Sequence, residues 1–246
     1  MTAAFVWFEY VSKDDKKAQG FFGELFGWTT KDVPMPDGAY TMIASGGKTI
    51  GGYMHTPPGA PSTSHWLTHL RVSDVRAASE KVTQLGGKVL EAPFKVGDFG
   101  TMAIASDPHG GAFALWQPAK ADEPLPEAAD GSFCWNELTS KVPAASVAFY
   151  SAVAGFTPEK MDMPGMGTYF TLNAAGQPRG GILEARMPEA QHAWTPYVQV
   201  ASTDKTIERA KKLGATVIVL PTDVPTVGRF AIILDPQGAA LGILQP

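Results

Sequence analysis

The chain repeats itself, and this constrains its fold more than any other feature. A shift of 128 residues places Phe5, Trp7, Glu9, Ser12, Lys13, Phe21 and Gly27 on Phe133, Trp135, Glu137, Ser140, Lys141, Phe149 and Gly155. The same shift gives 9 identities in the 19 positions from Gly100 to Pro118, including Asp107-Pro108 and Gly110 against Asp235-Pro236 and Gly238. Between these blocks the register slips by one, so Gly38, Tyr40 and Gly51-Gly52 meet Gly167, Tyr169 and Gly180-Gly181. Self-similarity at a fixed period marks a duplicated architecture. Two homologous domains follow, residues 1–118 and 132–246. The linker between them, 119–131, is rich in proline and acid and has no aromatic residue, which suits an exposed connector.

A weaker repetition runs inside each half. An apolar strand pattern at 5–11 precedes a helical pattern at 16–26, and short strands follow at 40–43 and 50–55. The order then restarts: a strand at 66–72, Asp74 as N-cap, a helix at 75–85 stopped by Gly86-Gly87, and strands at 88–91, 101–105 and 112–117. In the second half, strands at 133–139 and 196–200 precede helices at 144–154 and 204–213. Asp107-Pro108-His109-Gly110 and Asp235-Pro236-Gln237-Gly238 read as hairpin turns, with proline presetting φ and glycine accepting the positive φ. The expectation is an α+β protein of four βαβββ units, its sheets mostly antiparallel.

Twenty basic against 24 acidic residues leave a net charge of −4, without the basic excess of a nucleic-acid surface. Cys134 is the one cysteine, so no intrachain disulfide or cysteine-based metal site can form. No apolar run approaches a membrane span and no basic region opens a signal peptide, so a soluble cytoplasmic protein is expected.

Three elements resemble the vicinal oxygen chelate superfamily of glyoxalases, extradiol dioxygenases and fosfomycin and bleomycin resistance proteins. They are Phe21-Phe22…Leu25-Phe26-Gly27-Trp28, Val72-Ser73-Asp74-Val75…Leu85-Gly86-Gly87, and the Asp107-Pro108-His109-Gly110 turn, each with a counterpart in the second half. The resemblance implies that each pair of βαβββ units curls into a cup holding a divalent metal, a Lewis acid for substrate oxygens. It also implies where the ligands stand: on the first strand, at the start of the second unit, and on the last strand. Those positions carry Trp7 and Trp135, Leu67 and Thr195, and Ala114 and Gly242. The usual ligands are missing, so no cofactor and no metal site of the usual kind is expected.

Residues two apart on a strand share a face. With Trp7 inward, the first cup gains Glu9, His65, His69, Arg71 and Trp116, and the second gains Trp135, Glu137, Tyr197, Gln199 and Leu244. Aromatic walls with a few convergent polar groups are what organic-ligand sites look like. The leading expectation is therefore a binder of a small apolar or aromatic molecule, with Trp7, Trp116, Arg71, Trp135, Glu137, Tyr197 and Gln199 as its contacts. The alternative is an isomerase, lyase or hydroxylase-like enzyme using Glu9 and His69 as acid and base, with or without an atypical metal. Single-domain relatives commonly pair through their cups. The fused chain is thus expected to be a monomer with an internal pseudo-dimer, or a homodimer, with a small-molecule partner and neither nucleic acid nor membrane.

Overall fold

The computed structural model describes residues 1–35, 38–56, 63–120, 125, 127–163, 167–187 and 190–246. Residues 121–124 and 126 of the expected linker lie outside this set. The first half runs β1 (Ala4–Ser12), α1 (Asp15–Phe26), β2 (Thr29–Met35), β3 (Gly38–Ser45), β4 (Lys48–His55), β5 (His65–Arg71), α2 (Val75–Gln84), β6 (Lys88–Val96), β7 (Gly100–Ser106) and β8 (Ala112–Pro118). The second half repeats it with β9 (Phe133–Ser140), α3 (Pro143–Ala154), β10 (Thr157–Met163), β11 (Gly167–Ala174), β12 (Gln177–Glu184), β13 (Ala193–Gln199), α4 (Thr203–Lys212), β14 (Thr216–Val224), β15 (Gly228–Leu234) and β16 (Ala240–Gln245).

The strands form two eight-stranded sheets, ordered β2-β3-β4-β1-β5-β8-β7-β6 and β10-β11-β12-β9-β13-β16-β15-β14. Pairing is antiparallel within each hairpin, while β1 meets β4 and β5 meets β8 in parallel, as do β12 and β9, and β13 and β16. The α+β fold of four βαβββ units is as the sequence reads. Two strands, β2 and β10, had no apolar signal of their own.

Helix ends follow local chemistry. Asp14 caps α1 by accepting from Lys17 N, and Gly27 closes it at φ 74. Asp74 caps α2 and Ser202 caps α4, but α3 begins after Val142 with no side-chain cap. Gly110 and Gly238 take φ of 96 and 90, closing the two hairpin turns as their motif requires.

Packing divides the molecule into two compact units cut along a different line from the sequence repeat. One contains Met1–Val6, Thr68–Leu125 and Trp135–Trp194; the other contains Trp7–Leu67, Pro126–Cys134 and Thr195–Pro246. Each unit thus joins one βαβββ module of the first half to one of the second. In the Trp7–Leu67 unit the core is aromatic: Tyr10, Phe22, Trp28, Trp66 and Phe133 meet with centroids 5.0 to 6.1 Å apart. In the other, Trp194 and Tyr150 (5.0 Å) are flanked by Phe5 on Trp194 and Phe113 on Tyr150.

Each core is tied to an Asp-Pro turn by a tyrosine. Tyr10 Oη donates to Asp235 Oδ2 at 2.5 Å in one unit, and Tyr150 Oη donates to Asp107 Oδ2 at 2.9 Å in the other. The hydroxyls come from different elements, β1 and α3, because the repeat puts Leu138 opposite Tyr10 and Phe22 opposite Tyr150. Tyr150 also accepts from Trp194 Nε1 at 2.9 Å, whereas the equivalent Trp66 Nε1, beside Phe22, is buried with no partner among the described residues.

Candidate functional site: a repeated Trp-Tyr-Glu triad

In the Trp7–Leu67 unit, Trp7 Nε1 donates to Tyr40 Oη at 3.0 Å, and Tyr40 Oη donates to Glu9 Oε1 at 2.7 Å. In the other unit, Trp135 Nε1 donates to Tyr169 Oη at 3.0 Å, and the Tyr169 hydroxyl bonds to Glu137. Strand alternation puts each Trp and Glu on one face, two residues apart, and the β3 or β11 tyrosine reaches that face. The reach requires a glycine: a Cβ at Gly52 or Gly181 would collide with the hydroxyl of Tyr40 or Tyr169. The tandem glycines are therefore the seats of two tyrosine rings.

Burial and the adjacent Glu9 carboxylate hold the Tyr40 phenol well above its ordinary pKa, and burial and Glu137 do the same for Tyr169. Both phenols stay neutral donors. Each triad is a chain of indole N–H to phenol to carboxylate that fixes a half-buried tryptophan plane, with Trp7 and Trp135 partly exposed and Glu9 buried.

The remaining expected residues are placed as follows. His69 lies opposite Ala114, and Arg71 opposite Trp116, in the β5–β8 register. His69 and Arg71 are buried, and Arg71 Nε donates to the Thr2 carbonyl at 2.9 Å. Glu9 belongs to one compact unit and His69 to the other. Tyr197 is buried over Gly242, where a Cβ would collide with its ring, and it packs toward Phe230 at 6.4 Å. Gln199 Nε2 donates to Asp130 at 3.2 Å.

The side chains at the expected metal positions do not fit that role. The Trp7 and Trp135 indoles are committed to tyrosines, Leu67 and Ala114 are buried and carry no donor atom, Thr195 offers a single neutral hydroxyl, and the space above Gly242 holds the Tyr197 ring. Among the described residues, no group of three or more His, Cys, Asp or Glu is placed to hold a metal ion. Burial pushes the lone Cys134 thiol up to about 12, so it is no thiolate ligand at neutral pH.

Sequence reasoning passed over Tyr40 and Tyr169, although both were visible as matched positions beside the repeated glycines. It also gave no role to His192, which meets Asp107 at 2.7 Å across 85 residues of sequence.

A cup-forming α+β fold in two copies, with this repeat, defines a class. The chain belongs to the Glyoxalase/Bleomycin resistance protein/Dioxygenase superfamily, whose sequence profile matches residues 4–115 and 135–243. It is 36% identical over 244 residues to the protein named "Putative glyoxylase CFP32" of Mycobacterium tuberculosis (strain CDC 1551 / Oshkosh), covering 98% of this chain and 94% of the relative. It is 31% identical over 254 residues to the anthracycline biosynthesis protein DnrV of Streptomyces peucetius, covering 97% and 92%. In fold it is similar to a Mn(II)-bound glyoxalase from Novosphingobium aromaticivorans, with TM-score 0.67 at 16% identity over 100% of this chain and 83% of that one. A 2,2',3-trihydroxybiphenyl 1,2-dioxygenase from Sphingomonas wittichii strain RW1 gives TM-score 0.69 at 11% identity, over 100% and 91%. No described helix is long and apolar enough to cross a membrane.

Proposed function

We propose that this chain binds a small apolar or aromatic organic molecule in the cytoplasm and does so without the family's divalent metal. The observation that carries this reading is the triad itself. Where the family places a first-strand metal ligand, each half holds a tryptophan whose edge is locked by a tyrosine and a carboxylate. A fixed, partly exposed indole plane favours stacking with a flat ligand, and the adjacent polar chain orients a hydroxyl or carbonyl. Relatives named for anthracycline biosynthesis support the same class, since anthracyclines are planar polycyclic quinones.

Fluorescence titration with 1,4-dihydroxyanthraquinone tests the reading. Saturable binding is expected, unchanged after dialysis against a chelator, and weakened about tenfold or more by Trp7→Ala or Trp135→Ala. Near one equivalent of iron, zinc or manganese in the purified protein, with binding lost on chelation, would overturn it. The enzymatic alternative draws on Glu9 and His69, two buried polar side chains, the first already oriented by Tyr40. If it holds, Glu9→Gln and His69→Ala retain the quinone but abolish its turnover.

A further inference from the structure

The second half differs from its duplicate at three places that share one layer of the fold. Asn136, Ser151 and Arg179 stand where the first half has Phe8, Gly23 and Ile50, none of which carries a polar side-chain atom. Each of the three brings a buried polar atom with no partner among the described residues: Asn136 Oδ1, Ser151 Oγ and Arg179 Nε.

All three belong to the same compact unit. Trp135 and Glu137 face their triad, so strand alternation turns Asn136 to the opposite face, where it is buried. β12 runs parallel to β9 with Gly181 beside Glu137, and a Cβ on Gly180 would lie 3.0 Å from the Asn136 carbonyl oxygen. That Cβ would also meet the Phe5 ring, whereas one on Gly181 would meet the Tyr169 hydroxyl, so the two glycines look to opposite faces. Arg179 comes next along β12 and is the extra residue of a bulge, since Gly180 pairs with Leu172 and Pro178 with Asn173. The bulge sets Arg179 and Gly180 together against the buried Leu172, on the face away from the triad. α3 packs over β11 and β12 there. From Pro143 to Ser151 the helix descends about 12 Å, and from Ser140 back to Asn136 the strand covers about 13 Å. Ser151 therefore stands level with Asn136.

A largely buried guanidinium without a counter-charge is costly, and Arg179 makes no ion pair among the described residues. Asn136 Nδ2 donates to Thr68 Oγ1 at 3.3 Å. A hydroxyl donates as well as accepts, so the amide holds Thr68 equally well turned over, with an N–H in place of the orphaned oxygen. The layer then offers a guanidinium N–H, a serine O–H and an amide N–H around one positive charge. An amide in place of the Phe8 ring leaves room for about one ion, not for an organic molecule.

We propose that β9, β12 and α3 bind one small monovalent anion of chloride size, held by Arg179, Ser151 and Asn136. The first half, with Ile50, Gly23 and Phe8, binds none. The site lies on the opposite face of β9 from Trp135 and Glu137 and does not rest on what the triads bind.

Thermal denaturation in sodium chloride against sodium gluconate at equal ionic strength tests the site, and anomalous scattering from bromide-soaked crystals locates the ion. A saturable rise in melting temperature of about 3 °C by about 100 mM chloride is expected, with a dissociation constant of about 10 mM or tighter. One bromide is expected between Arg179 and Ser151. Arg179→Ile, which imports the first half's residue, and the milder Ser151→Ala are each expected to abolish the chloride-dependent rise while leaving near-ultraviolet circular dichroism unchanged. Melting that follows ionic strength alone, a chloride response unaltered in both variants, or a water at the place of the bromide would each overturn the site.

Discussion

At the residue scale, two copies of one motif solve the same burial problem differently. A buried carboxylate at the turn needs donors, and a buried indole N–H needs an acceptor. Tyr150 meets both needs in its unit; in the other, Tyr10 serves Asp235 while Phe22 leaves Trp66 Nε1 unanswered. Phe22→Tyr is therefore expected to stabilise the protein, and Tyr150→Phe to cost about 1–2 kcal/mol, both read by urea denaturation. Loss of stability in Phe22→Tyr would show that the ring has no room for its hydroxyl. The two aspartates also differ in charge balance. Burial alone would raise Asp107, but the hydrogen bond and charge of His192, with the turn N–H groups, hold it below the usual carboxylate range. Burial raises Asp235, which lacks such a partner. Asp107 thus contributes stability that is present above its unfolded pKa and lost as pH falls through its depressed folded value. Asp235 has the opposite sign: stability declines as pH rises from its unfolded pKa through its raised folded value. At pH 7, Asp107→Asn is expected to cost about 2–4 kcal/mol and Asp235→Asn under about 1 kcal/mol, the former also removing the acid-side decline. Equal costs would sink the argument. None of this was legible in sequence, since Asp107 and His192 lie 85 residues apart and their pairing depends on tertiary closure.

At the element scale, strands with alternating or continuous apolar residues were legible, as were helices bounded by Asp or Ser and Gly. The strands β2 and β10 were not. The sequence of β2, Thr-Thr-Lys-Asp-Val-Pro-Met, is almost wholly exposed, and it is a strand because its backbone pairs with β3 at the sheet edge. Periodicity reports burial, and an edge strand with little burial leaves no periodic trace. The triads were half legible for a related reason. Trp7, Glu9, Trp135 and Glu137 follow from alternation, whereas Tyr40 and Tyr169 reach them only because Gly52 and Gly181 lack a Cβ. Gly52→Ala or Gly181→Ala is expected to displace the tyrosine, cost about 1–3 kcal/mol and weaken quinone binding; unchanged binding would separate the triad from the ligand. For α3 the missing cap is a further handle. Val142→Asp alone is expected to add about 0.5–1 kcal/mol, measured by thermal denaturation, and a lower melting temperature would mean that the helix start is held another way.

At the scale of the whole molecule, the sequence shows where the repeat falls but not how the modules are shared out. Each compact unit draws one module from each half, so neither 1–118 nor 132–246 holds the material to complete a unit by itself. Residues 1–118 expressed alone are expected to elute at twice their monomer mass, two copies supplying each other's missing modules. A well-folded monomer of that fragment would contradict this. The pairing is nested, the second and third modules together and the first with the fourth, which sets a schedule for a chain leaving the ribosome. The inner pair can close while the last module is still untranslated. Tyr10, however, must wait for Asp235, 225 residues later. At about 5–20 residues per second that is about 10–45 s during which the most aromatic stretch of the protein has no final partner. The duplication thus leaves the growing chain holding unpartnered aromatic surface until its last module is made.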